Sequence, residues 1–420
     1  MTKPAICLLL LLCPLTAHAR ALGGRGMARA APPRVAATAP THEKLELGFY
    51  ATPLFGYESN HNLAPPSVPP GAPPDAAKPE GSAIWSLEGG AELKYRPSTA
   101  LLLRTELSAM VRMPISSAGL TEFLVELPLL AFYRLTPQLE LFLSNHVGVE
   151  RSRTSAVFFD KDVKNLTVNS GDTLTYFAFY ETLRPALAYH LVPGAFVEVG
   201  PYFRVKQMNL SVNIDEPDYR LFDLGADLSG KYVYKRRFSA RLRYDFAYRL
   251  FQNHDARPPE YEDITKTPSV NPLAGTRLGM YRHQIGAYLG AHVWGPISVN
   301  GSYSFRLVRD NGGYNSYNEH LVGGDLDLSF PGLFALGAGI FFQKRGYTNR
   351  TPCEGGACGA PGVAQQAQSE SSLVLNGKVT VPITEWLQAL AIYEMEDAAA
   401  DNLDPMAPLH RVVAGVSLFM

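Results

Sequence analysis

After about residue 43, apolar and polar residues alternate one by one along most of the chain, in stretches of about ten separated by turn-forming segments. From Trp85 to Tyr95, one parity holds Trp85, Leu87, Gly89, Ala91, Leu93 and Tyr95, and the other holds Ser86, Glu88, Gly90, Glu92 and Lys94. A strand turns successive side chains to opposite faces, so one face of this stretch suits an apolar surround and the other suits water. About 16 windows match this template, and the connections between them alternate in length. Short ones fall near residues 96–99, 136–138, 192–194, 235–237, 295–296, 331–332 and 384–385. Long ones fall at 59–82, 114–120, 151–172, 213–218, 252–276, 310–318, 346–370 and 396–409.

Period-two alternation describes any half-buried strand, soluble sandwiches included. Three further features point to a bilayer: a secretory signal precedes the pattern, the strands match a tilted crossing of about 9 to 11 residues, and short turns alternate with long loops. Together they predict an all-β chain, a transmembrane antiparallel up-and-down β-barrel of about 16 strands, within a range of roughly 16 to 18. Tyr95, Tyr133, Tyr189, Phe196, Tyr232, Tyr234, Phe238, Trp294, Phe330, Phe334 and Trp386 all flank the short turns, where an aromatic girdle at one bilayer interface belongs.

Residues 1–19 carry Lys3, an apolar run from Ala5 to Leu15 and the small-residue pattern Ala17-His18-Ala19, which reads as a cleaved signal peptide. Leu12 before Cys13 is too large for lipoprotein-type processing. Residues 20–42 are rich in Ala, Pro and Arg without periodicity and read as a flexible periplasmic leader, too short for a plug domain, and residues 43–420 read as the barrel. No later stretch approaches the roughly 18 continuous apolar residues of a spanning helix. A mean hydropathy of -0.05 with 21 Tyr and 21 Phe suits strands that spend half their residues on a wet interior. The net charge of -1 gives no argument for a nucleic acid partner. Cys353 and Cys358 lie close together in a Gly-rich loop and are read as a small disulfide in an oxidising compartment; a metal site on this spacing needs further ligands, none of which stand nearby.

A charge facing lipid at mid-depth costs about 2 to 4 kcal/mol for Arg or Lys, so the charged parity of each strand must line the interior. On the early strands this assigns Arg104, Glu106, Arg112, Glu126, Arg134, Glu140, His146 and Glu150 to the pore wall, followed by Glu198, Arg204 and Lys206. Later strands add Asp223, Asp227, Lys231, Arg241, Arg243, Asp245, Arg249, Arg282, Gln284, His292, Arg306, Asp325, Asp327, Lys378, Glu394 and Arg411. In a narrow barrel such charges would pair across a closed lumen, but a circumference of about 16 strands is too wide for side chains alone to fill. Loop 151–172, with Phe158, Phe159, Asp160, Lys161 and Asp162, is the candidate constriction. The architecture resembles general porins, in which the third outer loop folds inward; equally, the segment would serve as a strand extension and push the count toward 18.

Ser144, Asn145 and His146 look suggestive of hydrolysis, but alternation puts Asn145 on the face opposite the other two, and the chain is read as no enzyme. Asp325 with Asp327, and the loop 310–315, are weak cation candidates; no metal and no cofactor is expected. Val412 to Met420 alternates Val412, Ala414, Val416, Leu418 and Met420 against Val413, Gly415, Ser417 and Phe419. This resembles the C-terminal assembly signal of outer-membrane barrels, with the departure that the aromatic residue stands second to last; the resemblance implies the barrel assembly machinery as a partner.

Gly56-Tyr57-Glu58-Ser59-Asn60 is similar to a segment found early in several outer-membrane barrels associated with polysaccharide export, although it also reads simply as a polar strand end. The resemblance implies an outer-membrane location, a saccharide polymer as cargo and a periplasmic export protein as partner. Phe142, Tyr202 and Tyr288 point inward beside paired charges and would serve such a chain. The alternative function is a general or selective diffusion porin for small polar solutes; a non-conducting adhesin has only loop length in its favour. Both chain ends are expected in the periplasm, with outer-membrane lipid around the barrel.

Overall fold

In a computed structural model of the chain, residues 45–59, 81–116, 121–155, 173–210, 219–235, 237–256, 273–349, 369–400 and 408–420 are described. The signal peptide, the leader, Phe158 to Asp162, Cys353 and Cys358 lie outside them. The strands are β1 (Leu45–Glu58), β2 (Ser82–Tyr95), β3 (Leu101–Pro114), β4 (Glu122–Arg134), β5 (Leu139–Ser155), β6 (Thr173–Val192), β7 (Ala195–Leu210) and β8 (Tyr219–Tyr234). They continue as β9 (Phe238–Asp255), β10 (Arg277–Trp294), β11 (Ile297–Asp310), β12 (Tyr317–Phe330), β13 (Phe334–Tyr347), β14 (Ser369–Pro382), β15 (Leu387–Ala400) and β16 (Leu409–Phe419). Each pairs antiparallel with its sequence neighbours, and β1 pairs β16 to close the cylinder. The count among the described residues is therefore 16. Part of the expected loop 151–172 is strand: β5 continues through Arg151 to Ser155.

The chain is inside out relative to a soluble protein. Large apolar side chains of one parity are bare, among them Leu47 and Leu242 at 61% and Val412 at 52%, while Glu58, Arg112, Asp223 and Glu319 on the other parity have no exposure at all. Burial of apolar surface drives folding in water, so an exterior this greasy is stable only where acyl chains replace solvent. Closure matters for the same reason, because an open edge in lipid would leave a row of backbone groups unpaired.

The seam is built closely. Phe49 N donates to Met420 O at 2.8 Å and Met420 N to Phe49 O at 2.9 Å, so the ladder runs to the last residue. A Cβ on Gly56 would lie 1.8 Å from the Val412 carbonyl oxygen, and one on Gly415 would lie 2.0 Å from that of Pro53. Only glycine lets the two backbones approach so nearly.

Tyr95, Tyr133, Tyr189, Tyr232, Tyr234, Trp294 and Trp386 stand exposed at the short-turn rim. Phe196 departs from the expectation. It shares the bore face with Lys231 and packs against His190 with ring centroids 5.7 Å apart, because alternation from inward Glu198 carries it inside. A belt of this kind sits at headgroup depth. In a Trp85→Phe variant, the fluorescence of Trp294 and Trp386 is therefore expected to be quenched more by lipids brominated near the headgroup than by those brominated near the chain end; equal quenching would contradict the assignment.

Candidate functional site: an ionic collar around the bore

The charged residues assigned to the wall occupy the bore parity, and register brings most of them into contact. Near the long-loop mouth they form a collar. On one side Arg411 donates to Glu58 from Nη2 at 2.7 Å and from Nε at 3.0 Å, and to Glu394 from Nη1 at 2.5 Å, joining β15, β16 and β1. Arg112 of β3 reaches Glu122 of β4 at 3.1 Å, and both are buried. Glu126 holds His146 at 3.3 Å and accepts from Tyr180 at 2.9 Å, while Lys206 reaches across β6 to Glu150 at 3.4 Å.

The opposite side is denser in arginine. Asp223, fully buried, takes a bidentate pair from Arg249 at 2.7 and 2.9 Å and a second guanidinium, Arg204, at 3.6 Å. Arg282 donates to Asp245 at 2.7 Å and to the Tyr202 hydroxyl at 2.6 Å. Glu319 then binds Arg306 at 2.6 Å with one oxygen and Arg345 at 2.8 Å with the other, and Arg345 continues to Glu370 at 3.2 Å. One step nearer the short turns, Asp227 sits between Arg184 at 2.8 Å and Arg243 at 3.2 Å, and Arg184 also binds Glu198. Toward the short-turn rim, Glu92 pairs with Arg104 at 2.6 Å, Glu106 lies 3.8 Å from the same guanidinium, and Arg134 meets Glu140 at 3.3 Å.

Planar guanidinium forks are the groups best suited to bind carboxylates bidentately. Their effect here is to hold long side chains against the wall and to cancel charge locally, so that the bore is polar without a strong field of either sign.

Below the collar the wall changes character across β10–β14. Its inward residues there include Gly290, Ser298, Asn300, Asp325, Asp327, Gly337, Gly339 and Asn376. Asn300 donates to Asp325 at 2.5 Å, and Lys378, inward on β14, stands opposite Gly337. Lys231 and Arg241 face each other on β8 and β9, with Arg241 donating to Ser229 at 3.2 Å. Among the described residues no group of three or more His, Cys, Asp or Glu could hold a metal ion.

Aromatic side chains on the bore face lie flat over glycines of the adjoining strand. A Cβ on Gly90 would meet the Tyr50 ring at 2.5 Å, one on Gly148 the Tyr180 ring at 2.2 Å, one on Gly225 the Tyr202 ring at 2.5 Å and one on Gly323 the Phe341 ring at 2.6 Å. Each glycine gives a ring room to fold down, which keeps bulk out of the lumen. This corrects the expectation for Tyr202 as a contact for a passing chain, whereas Phe142 and Tyr288 are half-buried on the bore face. Tyr202 is only 5% exposed and is engaged with Asp245 and Arg282, and Phe142 packs edge-on against Phe132 at 4.9 Å. Tyr288 folds back over Gly286, where a Cβ would lie 3.1 Å from its hydroxyl.

The suggestive trio on β5 is separated as alternation requires. Ser144 Oγ donates to the Arg184 carbonyl at 3.4 Å, His146 faces Glu126, and Asn145 faces outward to Glu181 at 3.1 Å. The motif residues Gly56 to Ser59 belong to the seam: Gly56 permits the close approach, Glu58 binds Arg411, and Ser59 N donates to the His410 carbonyl at 2.9 Å.

A closed, even-numbered antiparallel cylinder, greasy outside and ionic inside, with tight turns at one rim and long loops at the other, defines a transmembrane β-barrel of the outer-membrane kind. No family model and no curated protein matches the sequence. Among solved structures it is similar to in-vitro folded OmpT, an outer membrane protein of Vibrio cholerae, at 10% identity and TM-score 0.43, covering 90% of this chain and 97% of that one. It is similar also to Salmonella typhi OmpF in complex with daunomycin, at 9% identity and TM-score 0.43, over 90% of this chain and 97% of that one. A bacterial polysaccharide outer membrane secretin matches at 8% identity and TM-score 0.37, over 88% of this chain and 97% of that one.

Proposed function

We propose that this barrel is an outer-membrane channel through which a saccharide polymer leaves the cell, delivered to the short-turn rim by a periplasmic export protein. The observation that carries the reading is the paired collar. A long chain threading a pore must make many contacts without being held by any, and a wall whose arginines and carboxylates satisfy one another presents little net charge to trap it. The Gly, Ser and Asn surface beneath offers amides, hydroxyls and accessible backbone, which exchange hydrogen bonds with sugar hydroxyls at small net cost. In this reading both chain ends lie in the periplasm, the assembly machinery inserts the barrel, outer-membrane lipid surrounds it, and it carries out no covalent chemistry and needs no cofactor.

Deleting the gene is expected to abolish surface polysaccharide while polymer persists in the periplasm; unchanged surface glycan would remove the reading. The purified protein in a planar bilayer is expected to show a closed or large gated conductance. A steady open pore with small-solute flux would instead make it a diffusion porin.

A further inference from the structure

Four outer hairpins carry a polar pair on the bilayer side, always on the same diagonal. Tyr244, Tyr303 and Tyr393 are each the seventh residue of β9, β11 and β15, and each hydroxyl meets Nδ1 of a histidine on the next strand: His283 at 2.8 Å, His320 at 2.9 Å and His410 at 3.0 Å. Asn145 and Glu181 repeat the placement on β5 and β6 at 3.1 Å. The histidines lie about ten residues from the short-turn rim, which at about 3.3 Å per residue and a tilt near 40° puts them about 25 Å above it, at the far edge of the apolar band.

Of the three, only His320 has a basic residue directly opposite it in the register on that face. Lys344 of β13 stands opposite His320 in the register, exposed to the bilayer side. Arg309 of β11, four residues beyond the position opposite His320, turns its guanidinium toward β12 and donates to Oδ1 of Asn318, the next residue above His320 on that face, at 3.1 Å, and to the carbonyls of Val308 and Tyr317 at 2.8 and 3.2 Å. Around His283 and His410 the facing residues are Phe246 with Leu307, and Met395 with Ser59. Among the described residues the bilayer side of β11–β14 carries no carboxylate at this level; the nearest acid on that face, Asp397, is on β15. Immediately below the cluster the surface is apolar, with Val322 50%, Ile340 52% and Phe342 40% exposed.

We propose that Arg309, His320 and Lys344 clasp a phosphate group on the headgroup of an outer-leaflet glycolipid, whose acyl chains run down the apolar strip beneath. Charge complementarity selects an anion, and phosphate accepts from guanidinium and ammonium through strong charge-assisted bonds. The strip selects an amphiphile over a free ion, because a bulk anion gains nothing from Val322, Ile340 and Phe342. The Tyr303 hydroxyl occupies Nδ1 and leaves Nε2 on the far edge of the ring; in the tautomer in which the hydroxyl donates, Nε2 carries the proton and donates to the phosphate. The proposal rests on the reading that the long loops face the exterior.

The test is native mass spectrometry of the full-length purified barrel with bisphosphorylated lipid A or with its dephosphorylated form. The wild type is expected to retain one phosphorylated lipid, and the double variant Arg309→Gln/Lys344→Gln to bind at least about tenfold more weakly. His283→Gln/His410→Gln is expected to bind as the wild type does, and planar-bilayer conductance is expected to be the same in all. Equal retention of the dephosphorylated lipid, full competition by millimolar inorganic phosphate, or undiminished binding by the double variant would each overturn the proposal. A Gly313→Cys variant labelled on intact cells by an impermeant maleimide supports the orientation; absence of labelling overturns both the exterior assignment and this site. Loss of the cargo reading alone touches neither the binding nor the labelling result.

Discussion

Arg411→Ala is expected to prevent stable closure of the barrel. Arg411 is 3% exposed and bridges Glu58 on β1 to Glu394 on β15 across the one contact that joins the two ends of the sheet. Its removal takes two guanidinium hydrogen bonds from the Glu58 carboxylate, which has no exposure of its own. Breaking a buried ion pair by deleting one member costs about 3 to 5 kcal/mol, because the abandoned charge keeps its desolvation penalty. Refolded into detergent, the variant should lose the heat-modifiable fast band on electrophoresis, or show its unfolding midpoint at much lower urea. Arg411→Lys should recover part of the loss, since an ammonium keeps the charge but lacks the planar fork that spans both carboxylates. An unchanged midpoint for the alanine variant would show that backbone pairing alone closes the seam.

The second large effect is expected in ion selectivity. Asp223→Asn with Asp227→Asn removes two carboxylates that between them face Arg184, Arg204, Arg243 and Arg249. Four guanidiniums then line a short arc of the wall with Glu198 and Asp245 as the remaining carboxylates beside them, and the local potential becomes more positive. In a salt gradient across a planar bilayer, the chloride over potassium permeability ratio should rise roughly threefold or more, with the difference shrinking as salt screens the field. Destabilisation of about 3 kcal/mol or more is expected alongside, so the recording is made on protein that retains the folded band. If selectivity stays where it was in folded protein, these arginines do not face the conducting path.

How much of this was legible in the chain depends on the distance over which each feature acts. Alternation and turn spacing are local, and the seven short connections emerged where Gly, Pro and paired aromatics interrupt the pattern, as at Gly194 with φ of 89° and Gly332 with φ of 77°. The face of each charged residue was legible for the same reason. What escaped is set by register. Tyr202 and Arg282 are 80 positions apart and meet only because β7 and β10 curve around the same bore, and the glycine beneath each flat ring is identifiable only once the strands are aligned. The Gly56 to Ser59 segment shows a related ambiguity. Its residues are occupied in joining β1 to β16, so they speak for closure before they speak for cargo. The bilayer-side histidines also escaped, because a polar residue at an outward position registers in a pattern only as noise until its neighbours are known.

The seam has a consequence for biogenesis. Phe49 and Met420 are hydrogen-bonded partners from opposite ends of the sheet, so the first strand is satisfied only once the sixteenth has been made. A product stopped short by even one hairpin offers two raw margins, each a row of donors and acceptors that lipid cannot quench. Copies that lack the sixteenth strand therefore have no resting state in the bilayer, and the closed cylinder is its own certificate that this strand has arrived.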